Sequence, residues 1–357
     1  MSTSTPIPIL IVGTGPSGLL LAQALKKAGI PFRLFERDPA LNVRSTGYRF
    51  GLSGHGVLAL QQSLTAEHFN LLERSCSAHL KIDEVKILNA VTQAPTPDSP
   101  RPVPYPDNVK PLAADRKVFR SVLARGLEED IQFNHELVSY SLLPDRKSVT
   151  ISFKNSVQAT GSPLVGADGA WSRVRQQYLP NFVPVDTEAR WLYGKTLLTP
   201  QLKAELHPDM LKGLILVSDL GQSVPMTVLT EPMMFDRTLE REAGVSLPED
   251  YLYWVLGVRA DKLETPAIGA KPSPAECASL SKRLVSHWHP SFRVLFVLQD
   301  ESQTSLLRTG SMLPDLPNWT PSRVTIAGDA AYVVSPTAGM GASTALRDAG
   351  YYVLGGG

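Results

Sequence analysis

Three glycines stand two and three residues apart in Gly13-Thr-Gly15-Pro-Ser17-Gly18, between an apolar run and a leucine-rich one. In a GxGxxG turn the first glycine permits the tight turn and the second lets a pyrophosphate reach the backbone. The third lets the helix pack closely on a strand. N–H groups left open around Ser17 and the positive end of that helix favour a dianionic pyrophosphate. Glu36 follows Gly18 by 18 residues, where a carboxylate accepts hydrogen bonds from adenosine ribose hydroxyls. This unit serves NAD and FAD alike. Two later segments have related chemistry: Asp168-Gly169 within Leu164–Arg175, and Gly328-Asp329, followed by Ser335-Pro336-Thr-Ala-Gly339-Met-Gly341-Ala342. Asp329 is expected at the carboxyl edge of a sheet, where open α/β sheets bind ligands. Backbone donors at Gly339–Ala342 are placed to stabilise negative charge on a reduced cofactor ring.

These residues need a βαβ unit to position them. Pro8–Val12 reads as a buried strand, Leu19–Ala28 as a helix stopped by Gly29, and Phe32–Glu36 as a second strand, which implies a parallel sheet. A helix is expected over 53–75, and strands over Val85–Val91, Pro163–Ala167 and Val324–Ala327. Asp115 reads as the N-cap of a helix running to Gly126, residues 131–160 as a hairpin, and Gly341–Ala349 as a further helix. Between 181 and 300 strand-like pieces such as Leu214–Val217 and Tyr251–Leu256 alternate with proline-bearing loops, the texture of a mostly antiparallel layer. Residues 92–107, with prolines at 95, 97, 100, 102, 104 and 106, read as an extended surface connection. The expected fold is therefore α/β: a Rossmann-like parallel-sheet domain plus a mostly antiparallel β-sheet domain with flanking helices. The first comprises 1–75, 108–180 and 300–357, and the second 76–107 and 181–299.

Composition narrows the function classes. Hydrophobic residues make up 43% of the 357 and charged residues 19%, which suits a globular chain with a core. With 35 basic and 34 acidic residues the net charge is +1, giving no reason to expect a nucleic acid or anionic membrane as partner. Two cysteines, Cys76 and Cys277, make no disulfide framework or CxxC metal site, so a reduced, cytoplasmic protein is expected. The apolar N-terminal stretch lacks the preceding positive charges of a secretory signal and is interrupted by its glycines. His287-Trp-His289 could set two imidazoles on one strand face, but no nearby carboxylate or cysteine completes a metal site, and none is expected. Neither a GxSxG elbow nor an HExxH pair is present.

Taken in order, the three glycine and Asp-Gly motifs, Glu36-Arg37 and the cationic helix Asp115-Arg116-Lys-Val-Phe-Arg120 give the chain a family resemblance. It resembles the FAD-dependent aromatic-hydroxylase family, single-component flavin monooxygenases with a para-hydroxybenzoate-hydroxylase-like fold, over nearly its whole length. The resemblance implies that Gly13, Gly15 and Gly18 cradle the FAD pyrophosphate, with Glu36 on the ribose and Arg37 on the adenine side. It also implies that Gly47, in the loop with Arg44, and Arg116 approach FAD, and that Asp329 holds the ribityl chain. Pro336, Gly339, Gly341 and Ala342 would line the flavin ring, and Asp168 would serve FAD and the visiting NAD(P)H. Two departures stand out: Tyr332 replaces the family's usual histidine, and the chain ends soon after Asp348-Ala349, where family members continue with a long helical segment.

The implied reaction inserts one oxygen atom of O2 into a small, largely apolar or aromatic molecule, with NADPH or NADH as transient reductant. Hydroxylation is the expected outcome, with epoxidation or Baeyer–Villiger insertion open on the same scaffold, and secondary metabolism is the expected setting. The alternatives are a flavin dehydrogenase or reductase without oxygen insertion, and an inactive flavin-binding remnant. The halogenase signature Trp-x-Trp-x-Ile-Pro is absent. A dry chamber is needed to protect the oxygenating species, and the antiparallel layer is its expected lid. In Arg190-Trp-Leu-Tyr193-Gly-Lys195, alternation puts Arg190 on one face and Tyr193 with Lys195 on the other; Arg190, Tyr193 and, at the flavin edge, Arg49 are the catalytic candidates.

Overall fold

The computed structural model describes residues 6–43, 49–78, 85–96, 109–144, 147–221, 225–263, 272–315, 317, 320–335 and 339–354. Arg44, Gly47, Pro336 and the prolines from 97 to 106 lie outside the described residues.

Ile9–Val12, apolar throughout, forms the central strand and stops where Gly13 takes φ 106°. The following helix, Pro16–Lys27, begins three residues before the expected Leu19. Pro16 fits its first turn because no N–H partner is needed there, and Lys26 and Lys27 sit at its negative end. Every residue from Ser17 to Leu25 is buried, so this helix lies inside the molecule. The parallel sheet runs Val324–Ile326, Leu164–Gly166, Ile9–Val12, Phe32–Phe35, Ile131–Gln132. The chain leaves the central strand first to one side and later to the other. That reversal opens a crevice between Ile9–Val12 and Leu164–Gly166.

One face of this sheet is covered by helices. Gly341–Leu354 packs against both Pro16–Lys27 and Gly54–Ser63. A Cβ on Gly56 would stand 2.9 Å from the Ser343 Cα, and the Ser53 N–H donates to Ser343 Oγ at 2.8 Å. The expected helix over 53–75 is two helices, Gly54–Ser63 and Ala66–Arg74, because Thr65 caps the second by accepting from the His68 N–H. The other face is covered by Leu137–Leu142, Val149–Phe153 and Gln158–Gly161, a three-stranded antiparallel sheet where a hairpin was expected.

A second sheet of six strands runs Ser305–Ser311, Val185–Leu197, Tyr251–Arg259, Met226–Met233, Ile215–Asp219, Lys86–Asn89. It is antiparallel except for its last pair. Ser305–Ser311 extends it beyond residue 299. The far face packs on Pro274–Leu284, opened by a Ser273/Glu276 capping box, and on Pro290–Val297, burying Trp254, Trp288 and Phe296. The near face lies against the parallel-sheet unit, with Tyr251, Tyr253 and Val255 in one core with Leu52, Ala113 and Phe119.

Candidate active site

Hydrogen bonds across the parallel sheet align the motifs. The Ala167 N–H donates to the Val12 carbonyl at 2.8 Å and the Ala327 N–H to the Gly166 carbonyl at 2.9 Å. Gly13, Asp168 and Gly328 therefore leave adjacent strands at the same carboxyl edge, although 310 and more residues separate the first and last motifs. A Cβ on Gly328 would lie 3.1 Å from the Ser17 Cβ, and one on Gly341 would lie 4.0 Å from Asp329 Oδ1. A cavity of about 410 Å³ opens here, lined by Gly13, Gly15, Glu36, Arg37, Arg116 and Asp168 among others.

The glycine loop is closed by side chains. Glu36 Oε2 accepts from the Thr14 N–H at 3.0 Å and from the Thr14 hydroxyl, while Oε1 accepts from the Asp38 N–H at 3.0 Å. Burial raises the Glu36 pKa, but the Thr14 hydroxyl, the Asp38 and Thr14 amides and the Arg120 charge outweigh it, leaving the carboxyl below the ordinary range. Arg120 donates from Nε to the Thr14 carbonyl at 3.1 Å and from Nη2 to the Thr14 hydroxyl at 3.0 Å. Sequence reasoning picked Arg116 in this helix and passed over Arg120. Its place one turn further on, on the same face, is the signal that could have found it.

Arg175 ties the two acidic motifs together and was also passed over. It is 1% exposed, and its Nη1 donates to the Ala330 carbonyl at 3.0 Å and the Asp329 carbonyl at 3.4 Å. Its Nη2 donates to the Ala170 carbonyl at 2.5 Å. Asp168 Oδ2 accepts from the Arg173 N–H at 2.7 Å, while Oδ1 is buried without a partner. Burial raises the Asp168 pKa further than these bonds lower it. Arg116, which lines the cavity, and Asp329 both have surface open to solvent, yet protein crowds them closely. Crowding raises the Asp329 pKa, which Arg116 opposes, and lowers that of Arg116, which Asp329 and Tyr193 oppose.

On the second sheet, register sorts the catalytic candidates. Tyr193 pairs with Val255 and Ser305, Trp191 with Gly257 and Leu307, and Lys195 with Tyr253, so these side chains share the near face. Gly257 is a glycine because the Trp191 indole lies across it: a Cβ there would stand 2.6 Å from the ring. Burial lifts the Tyr193 pKa to about 12 against the pull of Arg116, so its phenol stays protonated at neutral pH. Arg190 alternates to the opposite face. It is held by Asp186 at 2.8 and 3.0 Å, beside Arg308, and the structure does not bring it to Tyr193. Arg49 reaches the near face, where it pairs with the buried Glu231, a residue sequence reasoning did not single out. Tyr251 donates to Asp115 Oδ2 at 2.8 Å. His287 and His289 do not share a strand: His287 Nε2 sits 2.6 Å from Asp219 Oδ2, correcting the expectation of no nearby carboxylate, and His289 caps a helix.

The residues present fit an FAD. The helix after Gly15 has no side-chain cap, so its first amides face the crevice, and a Cβ on Gly15 would meet only the Ala167 carbonyl, at 3.9 Å. Ser17 Oγ and Asp168 Oδ1 are buried polar atoms without partners, and Arg37, Arg116 and Arg120 surround the same space. These are the donors and the room that a dinucleotide pyrophosphate requires.

A family profile described as an FAD binding domain matches residues 6–52 and 267–354. A dual O-methyltransferase/FAD-dependent monooxygenase of Phaeosphaeria nodorum is 39% identical over 381 residues, covering 96% of this chain and 39% of that protein. An FAD-dependent monooxygenase of Emericella nidulans is 28% identical over 368 residues, covering 97% of this chain and 86% of that protein. A solved structure from Photorhabdus luminescens, assigned as an FAD-containing monooxygenase, superposes with a TM-score of 0.81 at 28% identity, covering 98% of this chain and 87% of that one. The chain spans only 39% to 41% of the length of its dual-function relatives. Among the described residues no helix is long and apolar enough to cross a membrane. With three motifs at one sheet edge, an apolar second sheet facing them and these likenesses, the chain is similar to FAD-dependent flavin monooxygenases of the aromatic-hydroxylase type.

Proposed function

We propose that this chain is an FAD-dependent monooxygenase unit that uses NAD(P)H and O2 to hydroxylate or epoxidise a small, largely apolar organic substrate in secondary metabolism. The observation that carries this reading is the convergence of Gly13–Gly18, Asp168 and Gly328–Asp329 on one crevice facing the aromatic near face of the second sheet. For hydroxylation the balance is RH + O2 + NAD(P)H + H⁺ → ROH + H2O + NAD(P)⁺. Bound FAD would supply hydride acceptance and O2 activation.

The protein's own residues then bind, orient and keep out water. Gly13, Gly15, Ser17 and Gly18 hold the pyrophosphate, Glu36 and Arg37 the adenosine end, and Arg116 and Asp329 the ribityl chain, with Asp168 beside them. Gly339, Gly341 and Ala342 line the ring side; Gly47 and Pro336 remain assigned by the family resemblance. The near-face aromatics Trp191 and Tyr253, with Val255, make the wall that excludes water, and the protonated Tyr193 phenol donates a hydrogen bond to a substrate oxygen. In this reading 1–75, 108–180 and 300–357 carry FAD and 76–107 and 181–299 cover the substrate, except that Ser305–Ser311 belongs with the second sheet.

The test is turnover of purified yellow protein with NADPH under ¹⁸O2 against a panel of phenolic and polycyclic aromatic compounds. The reading expects one labelled oxygen in product and NADPH consumption matched to it. Consumption recovered wholly as H2O2 across the panel, or a protein purified without flavin that takes up none, would overturn it.

A further inference from the structure

Arg49 and Glu231 pair across the two units, although their side chains are only 10% and 1% exposed. Arg49 lies in register with Asp115, next to Arg116, and Glu231 lies in register with Tyr253. Taking both charges out of water is costly, and matched apolar side chains would serve a purely structural contact at least as well. The pair engages Arg49 through Nη2, while its Nε is fully buried and has no partner. The guanidinium stands 5.9 Å from the centre of the Tyr253 ring, and that ring is 6.4 Å from Tyr193. A buried N–H donor without a partner is therefore held between the two units, beside the Glu231 carboxyl.

We propose that Glu231 is a specificity-determining residue: by cancelling the Arg49 charge it makes the chamber accept a neutral molecule bearing a hydrogen-bond acceptor and reject the anionic counterpart. This rests on the reading that substrate lies between the two units. The Arg49 Nε–H serves either ligand as donor. An anion must in addition shed its hydration and approach the Glu231 carboxylate, and Arg49, already neutralised, does not compensate for that. Nearby charges do not change the sign, since Arg116 faces Asp329 and Lys195 faces Asp115. The substrate class that follows is an uncharged carbonyl or hydroxyl compound rather than a carboxylate.

The experiment compares binding of benzamide and benzoate, isosteric and differing in charge, to FAD-loaded protein at one neutral pH by equilibrium dialysis. The wild-type protein should prefer benzamide. Glu231→Gln should shift the ratio of the two dissociation constants toward benzoate by about tenfold or more. Glu231→Met should give the same shift should the glutamine variant fail to fold. In Arg49→Met/Glu231→Gln the shift should vanish. An unchanged ratio in both single variants, a shift that survives in the double variant, or no binding of either probe to wild type would overturn the proposal. A purely structural pair would lower melting temperature and both affinities while leaving the ratio alone, which also counts against it. Flavin absorbance in the same samples reports separately on the monooxygenase reading, which fails if wild-type protein holds no flavin.

Discussion

Arg175→Met is the most informative perturbation of the site's framework. The substitution keeps the unbranched apolar stem and removes the guanidinium donors to Ala330 at 3.0 Å, Asp329 at 3.4 Å and Ala170 at 2.5 Å. Two of these bonds have good geometry, and a hydrogen bond from a charged donor contributes about 1.5–3 kcal/mol, so the gross loss is about 3–6 kcal/mol. Removing a guanidinium that is 1% exposed also lifts its desolvation penalty, which leaves a net loss of about 3 kcal/mol. At about 2–4 °C per kcal/mol for a unit of this size, the melting temperature should fall by about 6–12 °C. Because Arg175 holds the backbone of Asp329, the FAD dissociation constant should rise about tenfold, read by quenching of flavin fluorescence well below the melting range. Arg175→Lys keeps the charge but lacks the planar fork and should fall between the two. A melting temperature within about 1 °C of wild type would refute the bonding scheme. A lowered melting temperature with unchanged FAD affinity would refute the coupling to Asp329.

Gly15→Ala should leave the melting temperature within about 1 °C, since a Cβ there meets only the Ala167 carbonyl at 3.9 Å, yet raise the FAD dissociation constant about tenfold or more by filling the pyrophosphate's approach. Gly13→Ala, at φ 106° with its Cβ driven into the Ala167 carbonyl, should instead fail to give folded protein by circular dichroism. Glu36 has a depressed pKa in the folded state, so its contribution is complete above the ordinary value of about 4.3 and is lost as pH falls through the folded value. Glu36→Gln should accordingly flatten the acid limb of a melting-temperature profile, and an unchanged limb would remove that assignment. Tyr193→Phe should keep FAD and fold while raising KM for an oxygen-bearing substrate about tenfold, with kcat changed less; an unchanged KM would exclude the phenol as a substrate donor.

Much of the crevice was legible because its information is local. Glycine spacing, Glu36 at a strand end and Asp115 as a cap each follow from backbone geometry within a few residues. The single helix expected over 53–75 missed a break for which Thr65, a ready N-cap, was the local signal. The second sheet was legible only in part. Alternation divides Arg190 from Tyr193, but which face turns inward depends on the helices that pack far away in the chain. Arg175 reads in sequence as one of two neighbouring arginines, and Glu231 as a residue in an ordinary strand. Their partners, Ala330 and Arg49, lie 155 and 182 residues away. Short-range order is set by dihedral preference and hydrogen bonding within a turn or strand. Which buried charge meets which donor is set by how two sheets pack, and only the folded chain decides that.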